Sequence, residues 1–208
     1  MNHEIRERVA MQEQASEKKG LRFQDILITV MIGVVFGVIF KLWDSVYSIV
    51  KPLFPQAGQL TYGMWFMAGP FAYLLIRKPG VALIASLAAA NLSALLGSGW
   101  GLETIMYGFV QGLAAELVFA LARYRRGGLA IAGAAGIMSA AGSFLLDLGY
   151  GYANYETWML VLKYGLRVIS AFTFAGIFAY FLMRALEATG VTRSIRPVAK
   201  EEYAALDR

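Results

Sequence analysis

Residues 60–96 read LTYGMWFMAGPFAYLLI, then RKPG, then VALIASLAAANLSALL. The two outer blocks carry no charge, and each has about the length that a helix needs to cross about 30 Å of bilayer hydrocarbon. Pro79 and Gly80 in the short connection stop one helix and start the next. This stretch therefore predicts two antiparallel transmembrane helices joined by a tight basic turn.

The composition of the whole chain agrees with a lipid environment. The 208 residues are 58% hydrophobic, and the mean hydropathy is +0.56. A soluble domain of this size needs a more polar surface. The chain has no cysteine, which excludes disulfides and thiolate metal sites.

Further apolar blocks predict an all-α polytopic membrane protein with a bundle of six transmembrane helices. We expect a cytoplasmic tail over residues 1–23, a membrane domain over 24–186 and a second cytoplasmic tail over 187–208. The charged start of the chain lacks the apolar core of a cleaved signal peptide. The six spans are expected near Gln24–Val46, Leu60–Ile76, Gly80–Leu96, Thr104–Arg123, Leu129–Leu148 and Trp158–Arg184.

The distribution of cations predicts the orientation. Lysine and arginine precede the first span, follow the last one, and fill the turns at 77–78 and 123–126. All of these positions fall on one side, which the positive-inside rule makes cytoplasmic. Both termini are therefore expected in the cytoplasm. The net charge of +5 then needs no nucleic-acid partner.

The opposite side is rich in aromatic and acidic residues. All four tryptophans fall at or near this end, together with several tyrosines and with Asp44, Glu103, Asp147 and Glu156. An interfacial aromatic belt is one explanation. A belt should decorate both interfaces, however, so the imbalance favours an aromatic, acidic pocket that opens outward.

Some polar residues lie inside the spans. Glu116 is expected near the bilayer centre, where an ionised carboxylate must be paired or hydrated. Arg167 is the natural partner of Glu116 or Asp147, either as a structural ion pair or in support of a ligand site. Asn91 could instead bond a neighbouring helix. Lys163 is expected to extend its amine outward, without a ligand role.

Two backbone features also stand out. Gly69-Pro70 predicts a kink in the second span, whose outer half carries Tyr62 and Trp65. Gly33 and Gly37 form a small-xxx-small pattern on the first span, which allows another helix to approach closely. Internal packing is the usual explanation of that pattern.

Several activities have no residues to support them. The chain has no phosphate-binding G-x-x-x-x-G-K-[ST] loop, so active transport would need separate ATPases. Its only histidine is His3, which excludes histidine-dependent hydrolysis and bis-histidine metal ligation. We therefore expect no enzyme activity, no catalytic residue, no metal and no cofactor.

Four strings resemble the YkoE group of S components, the substrate-binding subunits of energy-coupling factor (ECF) transporters. They are IRKPG at 76–80, VQGLAAE at 110–116, SFLLD at 143–147 and RVIS at 167–170. The resemblance covers the membrane portion, and the string that contains Gln111 and Glu116 is the most specific.

The resemblance implies a subunit in the plasma membrane of a bacterial cell that captures thiamine or its hydroxymethylpyrimidine precursor on the outer side. It also implies docking, through small residues that here would be Gly33 and Gly37, onto a membrane coupling protein driven by two cytoplasmic ATPases. ATP is then used only by the partners. Residues that suit an aminopyrimidine and a thiazolium are Tyr62, Trp65, Asn91, Trp100, Gln111, Glu116, Asp147, Tyr150 and Tyr155.

Two other functions remain open at this point. The first is a membrane scaffold or assembly subunit that binds no small molecule, in which Glu116 and Arg167 form a structural pair. The second is a small ion channel, which would need a row of polar residues that continues to the cytoplasmic face. No such row follows Glu116.

Overall fold

The computed structural model describes residues 20–190 and Thr192, and these are helical without any β-strand. Most of the two predicted tails lies outside this part of the chain. The α-helices are α1 Phe23–Val50, α2 Ala68–Ile76, α3 Val81–Leu95, α4 Glu103–Leu121, α5 Leu129–Gly149, α6 Thr157–Ala171 and α7 Ala179–Ala188. A 3-10 helix over Ala57–Phe66 precedes α2, and a π-helix over Phe172–Phe178 joins α6 to α7.

Within the described residues, four helices are long and apolar enough to cross a membrane. These are α1, α4, α5 and the continuous rod from Thr157 to Ala188, while α3 is apolar but shorter. The predicted all-α membrane protein is confirmed at this level. Predicted and observed helix ends agree to within about four residues, the usual precision of such boundaries.

The second predicted span has a different structure from the one expected. It is not one kinked α-helix, because the backbone is a 3-10 helix through Phe66 and becomes α-helical only at Ala68. Pro70 lies in the first turn of α2, where a backbone N–H has no partner inside the helix. The change of helix type therefore comes before the proline, and the kink expected at Gly69-Pro70 stays a prediction.

Gly33 and Gly37 pack inside the bundle. Both are buried on the side of α1 that contacts α3. A Cβ at Gly33 would lie 2.4 Å from Ala88 Cβ, and one at Gly37 would lie 2.7 Å from Leu92 Cβ. The expectation that a coupling protein docks on these two glycines needs correction, since α3 already occupies the space in front of them.

The basic turn between α2 and α3 lies at one end of the bundle. Lys78 Nζ is 2.5 Å from Asp25 Oδ2 in the first turn of α1, so this ion pair joins the start of α1 to the turn. Tyr73 at the end of α2 donates a hydrogen bond to the carbonyl of Arg126, in the turn between α4 and α5. The connections 51–56, 96–102 and 150–156 lie at the other end.

Candidate functional site

A cavity of about 210 Å³ opens at the end of the bundle opposite the basic turn. Its walls come from α1, the 3-10 helix, α3, α4, α5 and α6, and its mouth from the connections. Of the nine ligand-binding residues expected from the sequence, six line it: Tyr62, Trp65, Trp100, Gln111, Asp147 and Tyr155. The structure thus brings most of the expected set together, while their role in binding remains a prediction.

Asp147 is the centre of a buried charged cluster. Its Oδ1 accepts a hydrogen bond of 2.6 Å from the Tyr107 hydroxyl. Its Oδ2 lies 2.6 Å from Lys163 Nζ and 3.0 Å from Arg167 Nη1. The three charged side chains are at most 4% exposed, so each needs these partners to offset the loss of hydration.

Arg167 reaches two other elements from its place on α6. Its Nε donates to Gln59 Oε1 on the 3-10 helix at 2.7 Å, and its Nη1 donates to Ser143 Oγ on α5 at 2.9 Å. The guanidinium also lies 4.0 Å from the centre of the Tyr62 ring, a cation–π contact. These contacts with the 3-10 helix and α5 therefore fix the Arg167 side chain in the lining of the cavity.

Aromatic rings form much of the wall. Tyr47 lies edge-on to Trp65 and to Trp100, with ring centroids 5.5 and 5.6 Å apart. Tyr152, in the connection between α5 and α6, covers Lys163 Nζ at 3.3 Å from its ring centre. Burial raises the pKa of the Tyr152 hydroxyl, with a further contribution from Asp147. Such a wall suits a flat ring that stacks.

Gln111 supplies a polar group that is open to the cavity. The residue is 4% exposed, and its backbone carbonyl accepts a hydrogen bond from Ser139 Oγ at 2.8 Å. Within the described part of the chain, its side-chain amide has no hydrogen-bonding partner, although it lines the cavity. A buried amide normally finds a partner, so this group is available to a ligand.

Glu116 lies away from the cavity, and two expectations about it need correction. Its carboxylate accepts hydrogen bonds from the amides of Gly80, Ala82 and Leu83 at 2.6, 3.0 and 3.3 Å. It therefore caps α3, which has no side-chain cap of its own, at the end with the basic turn. Glu116 does not pair with Arg167, since that guanidinium pairs with Asp147.

Tyr124, just beyond the end of α4, supports the same carboxylate. Burial raises the pKa of its hydroxyl to about 12, and a hydrogen bond to Glu116 contributes to the rise. A phenol is protonated at neutral pH, so Tyr124 can donate to Glu116. This support belongs to the helix cap and not to the cavity.

The two other expected residues also lie outside the cavity lining. Asn91 is exposed, and its Nδ2 donates to the carbonyl of Leu87 on its own helix at 2.8 Å. Tyr150 is 45% exposed and stacks on the outer side of Tyr107 with centroids 5.9 Å apart. Neither side chain reaches the cavity in this conformation.

Sequence reasoning missed several lining residues, among them Lys163, which was expected to extend outward and is instead buried against Asp147. Lys163 and Arg167 are four residues apart on a helix, so they share a face, and that spacing could have indicated a common acidic partner. Other missed residues are Tyr47, Gln56, Gln59 and Tyr152.

Comparisons with known proteins agree on the class of protein. A family described as the permease component of an ABC-type cobalt transport system matches residues 24–142. A protein of Bacillus subtilis (strain 168), named as the HMP/thiamine permease protein YkoE, is 35% identical over 175 residues, which are 83% of this chain and 88% of that protein.

A solved structure agrees as well. The crystal structure of an S component of an ECF transporter superposes with a TM-score of 0.83 and 34% identity, covering 91% of this chain and 96% of that one. The fold is therefore that of an S component, and the chain is a multi-pass protein of the plasma membrane. On these likenesses, the chain belongs to the YkoE family of S components of ECF transporters, which is a family of transport proteins and not of enzymes.

Proposed function

We propose that this chain captures a vitamin that contains an aminopyrimidine, namely thiamine or hydroxymethylpyrimidine, and delivers it for ATP-driven uptake. The observation that carries the proposal is the buried side-chain amide of Gln111, open to a cavity with aromatic walls. The related YkoE is named as an HMP/thiamine permease, which supports the same ligand class.

The chemistry of Gln111 suits this ligand. An aminopyrimidine presents an amino donor next to a ring-nitrogen acceptor, and a carboxamide offers the matching acceptor and donor on one plane. Glutamine and asparagine read adenine in this bidentate manner. Trp65 and Trp100 in the wall can cover the flat ring. We therefore assign Gln111 to the aminopyrimidine edge and the aromatic residues to its faces.

Asp147 was expected to bind the ligand, but in this proposal it has a structural role. Both of its oxygens already have protein partners, Tyr107 on one side and Lys163 and Arg167 on the other. Its role is to hold these side chains in place around the cavity. In the described residues no three metal-ligating side chains come together, so the proposal rests on the aromatic cavity and not on a metal site.

We further propose that the chain crosses the membrane six times, with both termini in the cytoplasm. The 3-10 helix continued by α2 and the short α3 supply the two crossings beyond the four long helices. The basic turns then face the cytoplasm, and the cavity opens outside. A membrane coupling protein and two cytoplasmic ATPases would use ATP to move the loaded subunit.

Calorimetric titration of the detergent-purified protein tests the ligand assignment. We expect hydroxymethylpyrimidine and thiamine to bind and the isolated thiazole to bind far more weakly, because only the first two carry the aminopyrimidine. Gln111→Leu should weaken both by roughly tenfold to a hundredfold, the discrimination typical of one bidentate pair. Asn91→Leu, which removes an amide outside the cavity, is the matched control. Equal affinity of Gln111→Leu and the wild type would contradict the assignment.

A further inference from the structure

The strip of residues that the second membrane segment presents to the cavity has an unusual spacing. Gln56, Gln59, Tyr62 and Trp65 all line the cavity and are three residues apart. A 3-10 helix has 3.0 residues per turn, so residues at this spacing stand above one another on one face. In an α-helix each step of three would rotate the side chain by about 60° away from that face. The cavity wall therefore depends on the 3-10 conformation.

That conformation is exceptional in its length. The 3-10 helix covers ten residues, Ala57–Phe66, whereas runs of more than about four residues are uncommon because the hydrogen bonds have poorer geometry. A long 3-10 helix needs stabilisation from its surroundings.

The side chain of Ser170 on α6 supplies such a contact. Its hydroxyl donates to the carbonyl of Leu60 at 2.7 Å and accepts from the amide of Gly63 at 2.8 Å. These two backbone groups are three residues apart, the pair that a 3-10 helix joins. The serine, which is 2% exposed, thus bridges one turn of the 3-10 helix from a neighbouring helix.

The fit at this point is close. A Cβ at Gly63 would lie 2.1 Å from the carbonyl oxygen of Ser170, so only glycine lets the two backbones approach. One turn earlier on α6, Arg167 bonds Gln59 of the same 3-10 helix. The helix α6, which carries both buried cations of the cavity, therefore also carries the serine that holds the opposite wall.

We infer that Ser170 is a positioning residue of the binding site: its hydroxyl holds Ala57–Phe66 in the 3-10 form that aligns Gln59, Tyr62 and Trp65 on the cavity. Ser170 itself does not line the cavity, so it acts through these side chains. The inference rests on the proposed function for its effect on the ligand, but its effect on the position of Trp65 is independent of any ligand.

The test uses the purified full chain labelled with 5-fluorotryptophan, which gives one fluorine resonance for each of the four tryptophans. Trp65→Phe assigns the Trp65 signal. Without ligand, Ser170→Ala should shift or split that signal and leave Trp158 unchanged. Ser93→Ala, which removes another buried serine hydroxyl outside the cavity lining, should move neither signal.

The same variants are then titrated with hydroxymethylpyrimidine. Ser170→Ala should bind about tenfold more weakly or worse, because Gln59, Tyr62 and Trp65 lose their alignment on the cavity, and Ser93→Ala should bind normally. Should Ser170→Ala fail to fold, Ser170→Cys, similar in shape and weaker in hydrogen bonding, should give a smaller change of the same kind.

An unchanged Trp65 resonance in Ser170→Ala, or in Ser170→Cys where the alanine variant fails to fold, would overturn the inference. Normal affinity of a Ser170 variant whose Trp65 signal has shifted would overturn its link to binding. Failure of the wild type to bind either ligand would count against the proposed function alone, because the fluorine spectra would still decide the role of Ser170.

Discussion

At the scale of single residues, the site depends on one carboxylate that balances two buried cations. Asp147 contacts Lys163 and Arg167 within 3.0 Å, and all three side chains are almost fully buried. Breaking a buried pair by removing one partner leaves an uncompensated charge, which typically costs about 3–5 kcal/mol.

We therefore expect Asp147→Asn to lower the free energy of unfolding by about 3 kcal/mol or more, although asparagine can still accept the hydrogen bond from Tyr107. Thermal unfolding in detergent measures the loss. The double variant Asp147→Asn/Lys163→Met should recover part of it, because one of the two unpaired cations is then removed. No recovery would show that Lys163 and Asp147 are not coupled.

Glu116 yields a separate prediction because it caps α3 outside the cavity. Glu116→Ala should destabilise the ligand-free protein by about 2 kcal/mol, since three buried or half-buried backbone amides lose a charged acceptor. The control is Glu103→Ala, at the exposed start of α4, the helix that also carries Glu116. This variant should be neutral. A loss of ligand affinity without any loss of thermal stability would contradict the capping role.

The sequence predicted which kinds of residue form the site better than it predicted which residues they contact. The chemistry of Asp147 and Gln111 and their place at the outer end of the bundle could be inferred from helix position alone. The partner of Arg167 could not, because the choice between Glu116 and Asp147 depends on how α6 is rotated against α4 and α5. Lys163 was misjudged for the same reason, since a lysine near a helix end fits an exposed position equally well.

At the scale of elements, close helix contacts explain most of the glycines that lie within helices. Gly33 and Gly37 let α1 approach α3, while a Cβ at Gly165 on α6 would meet no atom within 4 Å. Gly33→Ala should therefore lower the unfolding temperature, because the new Cβ would clash with Ala88 and with the backbone carbonyl of Ala85. Gly165→Ala should be neutral or slightly stabilising, since alanine favours a helix more than glycine does. Equal unfolding temperatures for the two variants would contradict the α1–α3 contact.

The turns and most helix ends followed from local signals, whereas the 3-10 helix did not. RKPG at 77–80 contains its own stop and start residues, so the sequence alone predicts that connection. The 3-10 form of Ala57–Phe66 depends on two distant side chains. The Trp43 indole donates to the carbonyl of Thr61. The Ser170 hydroxyl donates to the carbonyl of Leu60 and accepts from the amide of Gly63. These partners are far away in the chain, and no local pattern reports them.

At the scale of the whole molecule, we expect the cavity to open outside the cell and the basic turns to face the cytoplasm. The chain has no cysteine, so single cysteines can report the sides. In intact cells, a membrane-impermeant maleimide should label Leu102→Cys, in an exposed connection at the cavity end, and not Arg125→Cys, in an exposed basic turn. Labelling of Arg125→Cys alone would reverse the proposed orientation.

The most direct measurement of the central claim is the tryptophan emission of the purified protein during titration with hydroxymethylpyrimidine. Trp65 and Trp100 line the cavity, so a ring bound beside them should change the emission until the site is saturated. We expect a saturable change in the wild type and a midpoint at least about tenfold higher in Gln111→Leu. A flat response to both hydroxymethylpyrimidine and thiamine, together with no heat of binding, would contradict the proposed function.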